Sequence, residues 1–230
     1  MTKAPLRTVK TASKALLRKL VPNYLLQERA IVQRLGPLAG RIYAGSRVLD
    51  SLGIRTEKRR LAPSSARSVL FVCFGNIMRS AMAEFLMRKE LSEAGLTEQV
   101  RIMSAGLHAT AGKESHPWAQ DAAANLGVSL QEHRAKLLTR EMVEQADCVF
   151  AMDFQNKAEL LTLYPEAQEK ICMLSAYGEG AWQYREISDP YHEDLESTRV
   201  CAQQLRTCIR NLIAATLLSS ATAKEPVTTR

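Results

Sequence analysis

From Ser68 onward, short apolar runs alternate with longer stretches in which apolar residues recur every three or four positions. Ser68-Val69-Leu70-Phe71-Val72-Cys73 is wholly apolar after its first residue and ends in a glycine-containing turn, which predicts a strand buried on both faces of a parallel sheet. Further strands are predicted at Val100 to Met103, Asp147 to Met152 and Ile171 to Leu174. Between and after them the period of 3.6 predicts helices from Arg79 to Ala94, Trp118 to Leu126, Thr139 to Gln145, Phe154 to Tyr164 and Glu193 to Leu218. The result is an α/β fold, a three-layer, doubly wound arrangement of four parallel strands with helices on both faces and its site at the carboxyl ends of the strands.

The chain before Ser68 has a different texture. Leu6, Val9, Leu16, Leu17 and Leu20 fall on one face of a predicted helix whose other face is cationic. A second periodic stretch runs from Tyr24 to Leu49 and should kink or end around Gly36-Pro37 and Gly40. The polar, turn-rich segment from Lys58 to Arg67 marks a boundary. The expected organisation is therefore a basic helical extension and linker over 1–67, an α/β domain over 68–220 and a flexible tail over 221–230.

Composition narrows the class only a little, since 46% apolar and 24% charged residues describe an ordinary globular protein. The net charge of +7 conceals a division: residues 1–67 carry 15 Lys and Arg against 3 acids, and the rest carries 16 against 21. The cationic part suits an anionic membrane, an acidic partner, nucleic acid (the least favoured) or the acidic remainder of the chain; a solvated helical extension is the plain alternative. Lys10, Lys14, Arg18 and Lys19 interrupt the first twenty residues, so no secretory signal is expected, and the apolar stretch from Leu212 to Leu218 is too short to cross a bilayer. The expected location is the cytoplasm, with peripheral membrane contact through the extension. Five cysteines without paired spacing predict reduced thiols and no zinc site.

The chemistry concentrates in Cys73-Phe74-Gly75-Asn76-Ile77-Met78-Arg79-Ser80, a Cys-x5-Arg loop between a predicted strand and a predicted helix. Successive backbone N–H groups at such a junction, with the helix N-terminus behind them, cradle a phosphate dianion. Gly75 and Asn76 are residue types that permit the tight turns this needs. Those dipoles and Arg79 favour ionised sulfur at Cys73, the form that attacks phosphorus. Arg79 can fork two phosphate oxygens, and Ser80 can donate to the sulfur as it leaves. Taken singly, a cysteine and an arginine six apart are common, and a buried cysteine at a strand end usually just packs.

This loop resembles the Cys-x-Gly-Asn-x-x-Arg-Ser signature of the low-molecular-weight protein tyrosine phosphatases. Ser104-Ala105-Gly106, His133-Arg134-Ala135-Lys136 and Met152-Asp153-Phe154-Gln155-Asn156 are similar to further family segments. The resemblance implies that Ser104 and His133 bond to Asn76 and hold the loop in shape. It also implies that Asp189, in Ser188-Asp189-Pro190-Tyr191, is the general acid, although Asp-Pro alone more often marks a simple turn. Pro190 keeps Asp189 extended on a rigid loop at the expected site end. The implied reaction is attack by Cys73 with Asp189 protonating the leaving oxygen, then hydrolysis of the cysteinyl-phosphate by water that Asp189 activates, with no metal or cofactor. The implied substrate is a phosphotyrosine protein, such as a tyrosine kinase of polysaccharide export.

Several positions depart from the family pattern. Met78 stands where many members carry a second cysteine, which removes a thiol able to protect Cys73 as a disulfide. Ala81 replaces a proline, and Thr110 replaces a cleft aromatic, leaving Phe74, Tyr191 and His192 as expected walls. Ile77 resembles the phosphotyrosine type, whereas members that hydrolyse phosphoarginine have threonine there. One rival is a thiol-dependent arsenate reductase, whose resolving cysteines Cys148 and Cys172 are poorly placed to supply. The other is a non-catalytic phosphate-loop binding module, against which Cys73, Arg79 and Asp189 together speak.

Overall fold

The computed structural model describes residues 23–55 and 66–218; the helix expected over Leu6 to Leu20, the segment Lys58 to Arg60 and the tail lie outside the described residues. In chain order, helix α1 (Asn23–Ser51) is followed by β1 (Ser68–Cys73), α2 (Arg79–Glu93), β2 (Arg101–Gly106), α3 (Pro117–Ala124), α4 (Arg140–Gln145), β3 (Cys148–Ala151), α5 (Phe154–Leu163), β4 (Ile171–Met173) and α6 (Leu195–Ile213).

The strands form one parallel sheet in the order β2-β1-β3-β4. Central β1 aligns Cys73 with Gly106 on one side and Val72 with Ala151 on the other. The chain departs from β1 first to β2 and later to β3 in the opposite direction, so a crevice opens at the carboxyl end of β1, the usual place for a ligand in such sheets. Alternation along each strand divides the core. Val69, Phe71, Phe150 and Cys172 pack on one face against α2, α3 and α6. Leu70, Val72, Val149, Ile171 and Met173 pack on the other, against α4, α5 and α1. Phe71 and Phe150 stack across neighbouring strands, ring centres 5.9 Å apart. At the amino end of the sheet the Asp147 carboxylate accepts the N–H groups of Arg67 (2.8 Å) and Ser68 (2.9 Å), which joins β1 to β3.

Several elements differ from the expected bounds by a few residues, β2 and the last helix among them. β2 continues to Gly106, because the small residues Ser104 and Ala105 pair with Phe71 and Val72 of β1. The last helix ends at Ile213 and widens into a π turn over 214–218. There the Thr216 hydroxyl donates to the Leu212 carbonyl at 2.6 Å, in competition with the helical backbone.

Helix α1 is broken by Gly36, whose φ of 76° and ψ of −178° are non-helical, and resumes at Pro37. Glycine, which alone readily takes a positive φ with ψ near 180°, closes the first arm, and proline, with its fixed φ, opens the second. In a straight helix Glu28 and Tyr43 would stand about 22 Å apart along the axis. Instead the Tyr43 hydroxyl donates to Glu28 Oε2 at 2.7 Å, so the arms fold toward each other. Ala39 and Tyr43 are buried, and Ile31, Val32, Leu35 and Ile42 pack with them beside α5. Arg47 then bridges Glu28 (2.9 Å) and Glu186 (2.8 Å). The described part of the basic segment thus lies against the remainder of the chain. No helix among the described residues is long and apolar enough to cross a membrane.

Candidate active site

β1 ends at Cys73 and α2 begins at Arg79; the five residues between them curl around the Cys73 sulfur. Sγ lies 3.0 Å from Ser80 Oγ and accepts the Asn76 N–H at 3.3 Å. Asn76 adopts φ of 52°, the left-handed turn that lets the loop close. No side chain caps the start of α2 at Met78, so the first-turn N–H groups keep their capacity for an anion.

The loop is braced from behind. Asn76 Nδ2 donates to Ser80 Oγ (2.8 Å) and Ser104 Oγ (2.9 Å), and Asn76 Oδ1 accepts the Lys136 N–H (2.8 Å). Ser104 in turn donates to the buried carboxylate of Glu84 at 2.5 Å. His133 Nε2 meets the Asn76 carbonyl at 2.7 Å; since a carbonyl only accepts, that nitrogen carries the proton. Burial lowers the pKa of His133, which holds the ring neutral. Gly106 lies so close that a Cβ there would come within 2.8 Å of three backbone atoms of residues 74–76.

Arg79 is buried and faces two carboxylates. Nη1 donates to Asp153 (2.6 Å) and to the Ile187 carbonyl (3.0 Å), while Nη2 donates to Asp189 (2.5 Å). Burial opposes its charge, but Asp153 and Asp189 outweigh that and raise its pKa above the ordinary arginine value. Its Nε is buried without an acceptor. Such an orphaned donor costs about 1–3 kcal/mol, a cost removed when an anion supplies the missing oxygen. Asp189 is 40% exposed toward the cleft, and its other oxygen accepts the Tyr191 N–H at 3.2 Å.

Above the sulfur opens a cleft of about 380 Å³, in the range of small-ligand pockets. Thr110, Tyr191 and His192 all line it, and so do Phe74, Ile77 and Met78. Phe74 and His108 form one wall, with ring centres 4.6 Å apart, and Tyr191 leans on His116 at 5.6 Å in another. An aromatic surface therefore exists although Thr110 contributes none.

Several participants were given no role from the sequence, although Asp153 and Gln155 lie in a segment that resembles the family's. Asp153 caps α5 by accepting the Asn156 N–H at 2.6 Å, a role readable in an Asp three residues before an Asn at a helix start, but its pairing with Arg79 spans 74 positions. Glu84 and Lys113 carry no local motif, and Gln155 falls on a variable position of the Met-Asp-x-x-Asn segment. Arg34, from α1, lines the cleft and donates to Gln155 Oε1 at 2.7 Å. Cys148 and Cys172 are buried inside β3 and β4 rather than on a segment that could swing to the loop. Burial pushes the thiols of Cys148 and Cys201 up to about 12, and raises that of Cys208 also. Among the described residues no three His, Cys, Asp or Glu side chains converge as a metal site would need.

Comparison with known proteins places this geometry. A family model described as low molecular weight phosphotyrosine protein phosphatase matches residues 68–223. The low molecular weight protein-tyrosine-phosphatase Etp of Escherichia coli K12 is 35% identical over 138 residues, 60% of this chain and 86% of that protein. A protein-arginine-phosphatase of Bacillus subtilis is 31% identical over 144 residues, 63% of this chain and 93% of the relative. Among solved structures, a low molecular weight protein tyrosine phosphatase from T. tengcongensis superposes with a TM-score of 0.59 at 33% identity, over 65% of this chain and 99% of the other.

Proposed function

Because the chain belongs to the low molecular weight phosphotyrosine protein phosphatase family, we propose that Cys73 is its nucleophile, Arg79 its phosphate clamp and Asp189 its general acid and base. The observation that carries this reading is the sulfur of Cys73 at the start of an uncapped helix, sharing one cleft with Arg79 and Asp189. A phosphate dianion seated on the loop amides puts its phosphorus in line with the sulfur, and its equatorial oxygens take up the N–H donors of Arg79. As the dianion takes up Arg79, the Asp189 carboxyl group is released toward the leaving oxygen, where it acts as the carboxylic acid. That is the form able to protonate the departing phenolate. The S–P bond forms as the P–O bond breaks, and water activated by Asp189 later cleaves the S–P bond. Ser80, 3.0 Å from Sγ, stabilises the thiolate as it departs. Ser104 and His133 act by holding Asn76, not by touching substrate.

The substrate class is a phosphotyrosine protein. Ile77 lines the cleft with an apolar side chain, which supports phosphotyrosine over the phosphoarginine named for the Bacillus relative. We take a tyrosine kinase of polysaccharide export as the partner, on resemblance, with the reaction in the cytoplasm and the segment before α1 suited to an anionic membrane. The test is hydrolysis of p-nitrophenyl phosphate and of matched phosphotyrosine and phosphoarginine peptides. Cys73→Ser should lower every rate by at least about 1000-fold. Retained turnover in that variant, or faster phosphoarginine cleavage, would sink the assignment.

A further inference from the structure

We infer that Arg34 is a specificity-determining residue, holding a second anionic group of the substrate that lies next to the phosphotyrosine in the polypeptide. The inference rests on the phosphatase reading above. Arg34 belongs to α1, outside residues 68–223 that match the family, yet the corner at Gly36 brings it to the mouth of the cleft. Two neutral partners fix the guanidinium there: Gln155 Oε1 at 2.7 Å and the face of Phe74, whose ring centre lies 5.8 Å from Cζ. Phe74 is itself a wall of the cleft, so the cation stands at the edge of the surface on which the substrate ring would rest.

Among the described residues three cations line the cleft, Arg34, Arg79 and Lys113, against two carboxylates, Asp153 and Asp189. Asp153 and Asp189 are both engaged by Arg79, and Glu159 by His108 at 2.6 Å. No carboxylate among the described residues lies within ion-pair distance of Arg34 or of Lys113. A guanidinium that spends one N–H on an amide oxygen still presents a planar fork to an oxyanion. With the phosphate seated at Cys73 and the ring against Phe74, the side chain adjacent to the phosphotyrosine emerges at this rim. A carboxylate and a second phosphate share the chemistry Arg34 would bind.

The experiment uses the full chain and three phosphotyrosine peptides identical except for the neighbouring residue, which is Ala, Glu or a second phosphotyrosine. Wild type should favour the Glu peptide over the Ala peptide by about 5-fold in kcat/KM and the doubly phosphorylated one by about 10-fold. Both preferences should shrink as salt rises from 50 to about 300 mM. Arg34→Ala should reduce both to within about 2-fold of unity, chiefly through KM, while its melting temperature stays that of wild type. Arg34→Lys should keep part of the preference for the second phosphate and lose most of that for Glu. A preference for only one of the two anions tells which source the site takes and supports the inference. Equal rates on all three peptides in wild type, or a preference that survives Arg34→Ala and disappears in Lys113→Ala, would overturn it. Hydrolysis of p-nitrophenyl phosphate by wild type, run alongside, reports the catalytic reading separately: its absence would sink both, its presence with equal peptide rates only this one.

Discussion

The tightest constraint at the scale of single residues is Gly106. A methyl group there would press on the Phe74 carbonyl, the carbonyl carbon of Gly75 and the N–H of Asn76 at once, all backbone atoms that form the loop around the sulfur. Gly106→Ala should therefore displace the loop and lower kcat/KM for p-nitrophenyl phosphate by about 100-fold, the scale of a 1 Å misplacement, and full activity in that variant would show that the loop can yield. His133 makes a pH-dependent contribution from the same bracing. Its pKa is lowered in the folded chain, so on acidification the unfolded chain takes up a proton that the folded one refuses. The stabilisation is present above the ordinary histidine value of about 6.5 and is lost as pH falls below it, at no more than about 1.4 kcal/mol per pH unit. Thermal unfolding between pH 7 and 5 should show a shallower dependence in His133→Gln than in wild type; parallel slopes would exclude the residue as the source. Cys73, Asn76 and Arg79 were legible in the sequence because the loop is local and its chemistry depends on spacing. The crowding at Gly106 and the partners of Arg79 were not, because they arise from sheet register and from contacts across more than seventy positions.

At the scale of elements, α1 shows how far a breaker signal reaches. Gly36-Pro37 announced an interruption, and the chain breaks there, but a φ beyond reach of ordinary residues says nothing about where the second arm goes. Its direction follows from the apolar positions Ala39 and Tyr43 and from close approach at Gly40, whose Cβ would sit 2.7 Å from the Val32 carbonyl oxygen. This gives a prediction in which the sign is informative. Alanine in a helix is ordinarily better than glycine by about 1 kcal/mol. Gly40→Ala should instead destabilise by about 1–3 kcal/mol in urea unfolding, because the neighbour it meets is backbone and cannot rotate away. Stabilisation would mean that the arms can part without loss. The extent of β2 was similarly hidden: Ser104 and Ala105 have little strand character of their own and extend only because β1 pairs with them.

Across the whole molecule the alternation of strands and helices was enough to read a doubly wound parallel sheet with its site at one end, since buried parallel strands are nearly uniformly apolar and stand out from amphipathic helices. The placement of α1 was not, because its packing stripe is short and its charge suited several surfaces equally. The structure sets it beside α5, with Arg47 meeting Glu186, whose other oxygen accepts the Phe154 N–H at 3.0 Å, so the added helix adjoins the end of the molecule where the cleft opens. The arrangement around Arg79 has a consequence for the solution it works in. Two carboxylates already occupy Nη1 and Nη2, so a visiting ion that takes up those donors must displace them, with only Nε standing free. Chloride or nitrate, singly charged and poorly shaped for the amide ring, gains too little from the exchange, whereas a tetrahedral dianion repays it with several charge-assisted contacts. If Arg79 is the clamp proposed above, these two ion pairs bias the resting protein against the abundant electrolytes around it, as ballast that a monovalent visitor is too weak to shift.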